Sequence, residues 1–242
     1  MTDLLYLPDA DDVTTFEATV TEATSEYLVL DGTYFYPEGG GQPPDHGVVE
    51  WDGGRAGIDG VRKDHGEVRH EVASMEGAPP SSGTAVEGRI DEQRRRALSR
   101  MHTAQHVVSR VVLDEFGATT AGNQVYADRA RIDFEPADFD AADLDRIEEL
   151  SNAAIERDHA VTKENRPREQ VEAAVDDGRA LLDMIPDHVD PLRVVAIEAF
   201  DMCPCGGTHS DSLGELGGVE IRECTSKGAD IDRIEFTLTA VE

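Results

Sequence analysis

Lysine is almost missing from these 242 residues: Lys63, Lys163 and Lys227 are the only three. Aromatic residues are scarce at 5%, with one tryptophan, and there are three cysteines, Cys203, Cys205 and Cys224. An odd number of thiols, two of them separated by one residue, excludes a fully paired disulfide framework of the kind small secreted domains use. No apolar run approaches the ~20 residues of a membrane span. The opening MTDLLYLPDADD is acidic where a secretory leader would be basic, so the reading is a cytoplasmic protein that does not use a membrane. Positive charge is also outnumbered, 22 Lys+Arg against 51 Asp+Glu, for a formal charge of −29. Such a field ordinarily repels nucleic acid. Here the acid is scattered along the whole chain, not gathered in a tail. Dispersed acid with few lysines is the composition of a protein adapted to molar salt, where the Debye length is only ~3 Å and net charge hardly reaches a ligand.

What is present is enough apolar material, 39%, in periodic runs that argue against disorder. The predicted class is α+β: a β-rich N-terminal barrel over residues 1–90 and an α/β domain over 91–242, with helices on a mainly antiparallel sheet. Short strands are expected at Phe16–Val20, Glu26–Leu30, Val48–Trp51, Gly57–Arg62, Val68–Val72 and Ala85–Ile90, with Glu76–Gly83 as the linker candidate. From Asp91 the period changes. Leu98, Met101, Val108, Val111 and Val112 recur at helical spacing between an Asp91 N-cap and a Gly117 stop. A strand at Arg129–Phe134, a helix from Asp140 to Asp158 and a shorter one over Arg168–Val175 follow. Strands at Arg193–Phe200, Gly218–Cys224 and Arg233–Thr239 close the chain.

Two clusters carry chemistry. His102 and His106 lie four apart in the strongest helix, so their imidazoles share one face. Cys205 and His209 have the same separation inside CPCGGTH, a glycine-rich turn between strands. A histidine pair alone reads as a solvated helix face. Joined by a Cys-x3-His pair, it suits one zinc ion per chain, bound by nitrogen and sulfur. Thr103 stands where a metalloprotease helix carries its glutamate base, which disfavours protease chemistry. Four protein ligands describe a closed structural site and catalysis wants an open position, so ligand count leaves the role of the metal open.

HTAQH, AGNQVYADRARIDFE (Ala121–Glu135), CGGTH with its following Gly214, Glu215 and Gly217, and TSKGADIDRIEF (Thr225–Phe236) together resemble the editing domain of alanyl-tRNA synthetase. FYPEGGGQPPDHG, Phe35 to Gly47, is similar to the glycine motif that precedes that domain. The likeness, from about Phe16 to Leu238, is to the medium-length form of the free-standing AlaX editing family. The threonyl-tRNA synthetase editing domain, a sister family, lacks the glycine motif. The resemblance implies hydrolysis of the ester joining a wrong amino acid to tRNA(Ala), chiefly serine and secondarily glycine. His102, His106, Cys205 and His209 would serve as zinc ligands and as the catalytic centre. An alanine-sized pocket admits glycine and cannot strongly reject an added hydroxyl, so a second, hydrolytic site is needed.

The family helix often reads HTATH; here Gln105 replaces the second threonine. Relatives often carry a hydroxyl residue where Asn123 follows Gly122, so Asn123, Thr120 or Thr119 is the candidate partner of the serine hydroxyl. Gly39, Gly40 and Gly41 read either as a plain turn or as a bare backbone admitting the tRNA acceptor end, with Gln42 as a polar contact. Among the few cations, the run Arg94, Arg95, Arg96 reads either as a helix face paired to Asp91 and Glu92 or as a phosphate contact, with Arg95 the chosen candidate. No stable protein partner is evident. A tRNA-binding module with a structural zinc, and an editing enzyme for another small amino acid, are the rival readings.

Overall fold

The computed structural model describes residues 1–175, 179 and 185–240. Two compact units divide between Arg96 and Ala97. In the first, β1 (Asp3–Leu4) pairs in parallel with β4 (Gly32–Thr33). The other strands are β2 (Thr15–Ala23), β3 (Tyr27–Leu30), β5 (Gly47–Trp51), β6 (Gly54–Asp64), β7 (Glu67–Glu76) and β8 (Ala85–Ile90). They close a barrel in the order β2-β3-β7-β6-β5-β8, with antiparallel neighbours throughout. Alternate residues point inward and fill it with Phe16, Val20, Leu28, Val49, Ile58 and Val86. Gly88 is required there: a Cβ on it would sit 2.5 Å from the Phe16 ring. The Glu76–Gly83 segment joins β7 to β8, so it is a connection inside the barrel and not the linker that its composition suggested. Its Gly77 and Gly83 take φ of 87° and 88° to turn the chain.

Two buried polar devices lock this unit. His70, with no exposed surface, meets Thr33 Oγ1 at 2.8 Å and the Leu28 carbonyl at 3.1 Å, and burial lowers its pKa to about 4. Arg95 is 3% exposed. Its guanidinium donates to the Asp45 carboxylate and to the carbonyls of Asp11 and Tyr34 at 2.5–3.1 Å. Asp45 Oδ2 also accepts from the Tyr36 amide at 2.6 Å. Arg95 therefore pins the glycine segment, and its burial leaves little of the guanidinium to meet the phosphate expected of it. The segment itself is a tight turn. Gly39 and Gln42 exchange both backbone hydrogen bonds, at 3.1 and 2.9 Å, around Gly40 and Gly41 at φ of 57° and 81°. Two successive positive φ values select glycine.

The helix α1 (Glu92–Phe116) runs from the end of the first unit into the second. Its first turn is capped by Asp91 Oδ1, which accepts from the Arg94 amide at 3.0 Å. It stops at Gly117, with φ of 68° and its amide bonded to the Leu113 carbonyl at 3.0 Å. Beyond it lie β9 (Thr119–Val125), β10 (Ala130–Glu135), α2 (Ala141–Ile155), β11 (Val161–Arg166), α3 (Arg168–Ala174), β12 (Leu192–Ile197), β13 (Asp201–Pro204), β14 (Val219–Ser226) and β15 (Asp232–Leu238). One antiparallel sheet runs β14-β15-β10-β9 and a second runs β11-β12-β13. Leu98, Met101 and Val108 of α1 share one core with Ile147 of α2, Ile132 and Phe134 of β10, and Ile234 and Phe236 of β15. Asp140 caps α2 in a capping box with Asp143.

The two-residue β1 and β4 of the first unit escape the sequence pattern, and so do three strands of the second. β9 (TTAGNQV) and β11 (VTKENR) are polar, and β13 (DMCP) is four residues long. The strand expected over Arg193–Phe200 ends at Ile197 instead; the chain reverses through Ala199, at φ of 52°, into β13. Among the described residues no helix is long and apolar enough to cross a membrane.

Candidate metal centre

Residues 101–109 of α1 are all buried, although His102, Thr103, Gln105, His106 and Ser109 among them are polar or ionisable. Buried polar groups need partners. Here the partners come from the loop after β13 and from β9.

Cys205 follows β13 directly, and Gly206-Gly207 folds the chain back until the Gly207 amide donates to Cys205 Sγ at 3.4 Å. Arg193 clamps this loop, donating from Nη1 to the carbonyls of Cys205 and Gly207 at 2.7 and 2.8 Å. His209 arrives opposite α1. One ligand atom each from His102, His106, Cys205 and His209 then lies within 4.8 Å of the other three. Cys205 Sγ is 3.6 Å from His102 Nε2 and 3.3 Å from His209 Nε2. Both histidines of the helix thus meet both residues of the loop, 99 to 107 positions away in sequence.

Electrostatics favour the metal-binding form. Burial pushes the Cys205 thiol up, but the charges of His102 and His209 and hydrogen bonds from His102 and His106 outweigh it, leaving the pKa well below that of an ordinary thiol. Burial, with the charge of His102, holds His209 well below the usual imidazole value. A thiolate and a neutral imidazole are the states a metal requires, and Cys205 and His209 lean toward them. At His106 burial lowers the pKa, but hydrogen bonding with Asp201 and Cys205 outweighs it and raises the value. Cys203 behaves oppositely to Cys205: burial raises it to about 12, so it stays a thiol and does not compete.

Thr103 settles the tautomer of His209. Its hydroxyl donates to the Ser99 carbonyl at 2.8 Å, so toward the Ser210 amide at 3.1 Å and His209 Nδ1 at 3.1 Å it can only accept. Nδ1 carries the proton and Nε2 is left as the ligand nitrogen. Ser99 adds a hydrogen bond to Thr208 Oγ1 at 2.8 Å. In the sequence Thr103 marks only the absence of a glutamate, and Ser99 carries no signal of its own.

Thr120 and Asn123 both reach α1. Thr120 Oγ1 donates to Ser109 Oγ at 3.1 Å, and Asn123 Nδ2 to Gln105 Oε1 at 2.9 Å. Residues three apart on a regular strand face opposite ways. A register shift, with Asp133 opposite Gly122 and Phe134 opposite Thr120, inserts Ala121 as an extra residue and turns both side chains to the helix. Thr119 instead donates to the Glu135 carbonyl at 3.0 Å. In the first unit Gly39 and Gly40 are exposed and Gly41 half-buried, while Gln42 at 1% exposure is buried in the unit's interior. Burial makes Gln42, like Arg95, a poor surface contact.

The geometry thus defines a two-unit protein: a barrel, and an α/β unit whose His/Cys cluster could hold a metal ion. Residues 8–94 match the family described as tRNA synthetases class II (A), and residues 192–235 match the threonyl and alanyl tRNA synthetase second additional domain. The alanyl-tRNA editing protein AlaX-M of Methanosarcina acetivorans is 36% identical over 98% of this chain and 99% of its own length. That of Methanosarcina barkeri is 37% identical over 98% and 99%. The alanine–tRNA ligase of Pyrobaculum neutrophilum is 37% identical over 87% of this chain, which spans 24% of the ligase. The chain belongs to the AlaX-M family of alanyl-tRNA editing proteins.

Proposed function

We propose that this protein is a free-standing deacylase that hydrolyses mischarged tRNA(Ala), chiefly Ser-tRNA(Ala) and secondarily Gly-tRNA(Ala), with one zinc ion per chain. The observation that carries the reading is the convergence of HTAQH and CPCGGTH on one buried four-donor cluster. The donor set fits zinc, with one sulfur already inclined to the thiolate and three imidazoles. His102, His106, Cys205 and His209 would hold it. When bound, such an ion supplies Lewis-acid polarisation of an ester carbonyl and a lowered pKa of water.

The chain's own residues supply selectivity. Asn123 with Gln105, and Thr120 with Ser109, form two adjoining polar pairs one helical turn apart beside His106. A serine hydroxyl engaging them replaces a protein hydrogen bond by another. An alanyl group has no hydroxyl with which to make that exchange, so it gains none of the charge-free hydrogen bonds, worth about 1 kcal/mol each, that a seryl group can make there. The exposed turn Gly39-Gly40-Gly41 offers bare backbone to the acceptor end, and a side chain added at Gly40 would meet open space. With Arg95 buried, exposed Arg96 is the member of the arginine run suited to a phosphate. Work on tRNA supports a cytoplasmic location, and the dispersed acidity supports adaptation to molar salt.

Ester hydrolysis of Ser-, Gly- and Ala-tRNA(Ala) by the zinc-loaded chain tests this. Rapid loss of serine with alanine spared is expected. Equal loss of alanine removes the selectivity argument. Binding without hydrolysis of any of the three would make the site a structural zinc in a tRNA-binding module.

A further inference from the structure

Behind His106 lies a buried ion pair that the ligand set leaves unused. The side chains of Arg179 and Asp201 are 5% and 0% exposed. Arg179 Nε donates to Asp201 Oδ1 at 2.6 Å and Nη2 to Oδ2 at 2.5 Å, while Nη2 also reaches the His106 carbonyl at 3.4 Å. Asp201 opens β13, four residues before Cys205, so the strand that delivers the thiol also delivers this carboxylate.

Asp201 Oδ2 lies 3.6 Å from His106 Nδ1, a buried nitrogen without a hydrogen-bond partner. Native structures rarely leave such a group unmatched. The gap exceeds an ordinary N–H···O distance by only about 0.7 Å. Two of the carboxylate's lone-pair directions serve Arg179, which leaves capacity for one more donor. With Nδ1 turned to Asp201, Nε2 is the nitrogen that remains for the cluster. The arrangement parallels Thr103, which takes Nδ1 of His209.

We propose that Asp201, held by Arg179, is the positioning residue of His106: it accepts the Nδ1 proton, fixes the tautomer that offers Nε2 to the metal, and stops the ring from turning. Arg179 orients the carboxylate and balances its charge. The proposal rests on the metal-site reading above. Outer-shell acceptors of this kind change metal affinity by roughly 10–100-fold.

The test uses the full chain and two double variants that remove both charges together, so that neither is left buried alone. Arg179→Met/Asp201→Leu has no acceptor, and Arg179→Gln/Asp201→Asn keeps a neutral one. Zinc affinity is read by competition with a chromophoric chelator, cobalt loading by its visible bands, and folding by melting of the metal-free form. The expected result is about 10–100-fold weaker zinc binding in the leucine variant, an intermediate loss in the asparagine variant, and altered cobalt bands in both. A purely structural pair would shift the melting temperature and leave affinity per folded molecule unchanged. Folded variants that bind zinc within twofold of wild type, with unchanged cobalt bands, overturn the proposal. If the leucine variant does not fold, the asparagine variant decides by the same criterion. A wild-type chain that binds no zinc would instead sink the metal-site reading.

Discussion

Thr103→Val is a nearly isosteric change at a fully buried helical position, and its cost can be worked from the contacts. The hydroxyl accepts from the Ser210 amide and His209 Nδ1, both at 3.1 Å, and donates to a carbonyl that already belongs to the helix. Valine removes the oxygen and leaves two buried donors unmatched, at ~1–3 kcal/mol each, or about 2–6 kcal/mol in all. For a unit of this size that is roughly 5–15 °C in melting temperature. His209 also loses the bond that fixes its tautomer, so zinc affinity should fall ~10–100-fold. Thr103→Ser keeps the oxygen and gives up one methyl group, about 1 kcal/mol, with metal affinity unchanged. Denaturation of the metal-free and metal-loaded forms, alongside chelator competition, measures both effects. If Val and Ser variants prove equally stable and bind zinc alike, the assigned role of the hydroxyl is wrong.

Arg95→Ala strands the Asp45 carboxylate in the interior and should cost roughly 3–5 kcal/mol; a phosphate contact would instead weaken tRNA binding and reduce its salt slope while stability stayed constant. His70, with its pKa depressed to about 4 by burial, binds fewer protons folded than unfolded at mildly acid pH. Its contribution, up to about 3 kcal/mol, is therefore complete above pH ~6.5 and is lost as pH falls toward 4. His70→Gln should flatten that part of a stability-versus-pH curve, and an unchanged slope would show that another group is responsible. Chelation should lower the melting temperature of wild type far more than that of His106→Ala, since three remaining donors hold the ion less tightly; calorimetry with and without chelator reads the difference.

Much of the fold is legible in local pattern. Period-two alternation marks the barrel strands, and the apolar spacing from Leu98 to Val112, between Asp91 and Gly117, marks α1 with its caps. Those signals are short-range, set by side-chain direction and terminal hydrogen bonding. The polar strands β9 and β11 carry no such signal, because their pairing partners stabilise them and not their own composition. The sequence also marks Arg95 as one of the few cations. It holds no hint that Asp45, 50 positions earlier, would claim it.

The metal centre divides in the same way. Residue type and the four-residue spacings of His102/His106 and Cys205/His209 are properties of the chain alone, and they mark the four candidate donors before any folding. Tertiary structure alone could bring the two pairs together, place Thr103 and Asp201 at the far nitrogens of two imidazoles, and turn Thr120 and Asn123 to one side through an extra residue in β9. Those contacts join residues roughly 10 to more than 100 positions apart. Their geometry depends on how packed elements meet, a quantity that no local stretch of sequence encodes.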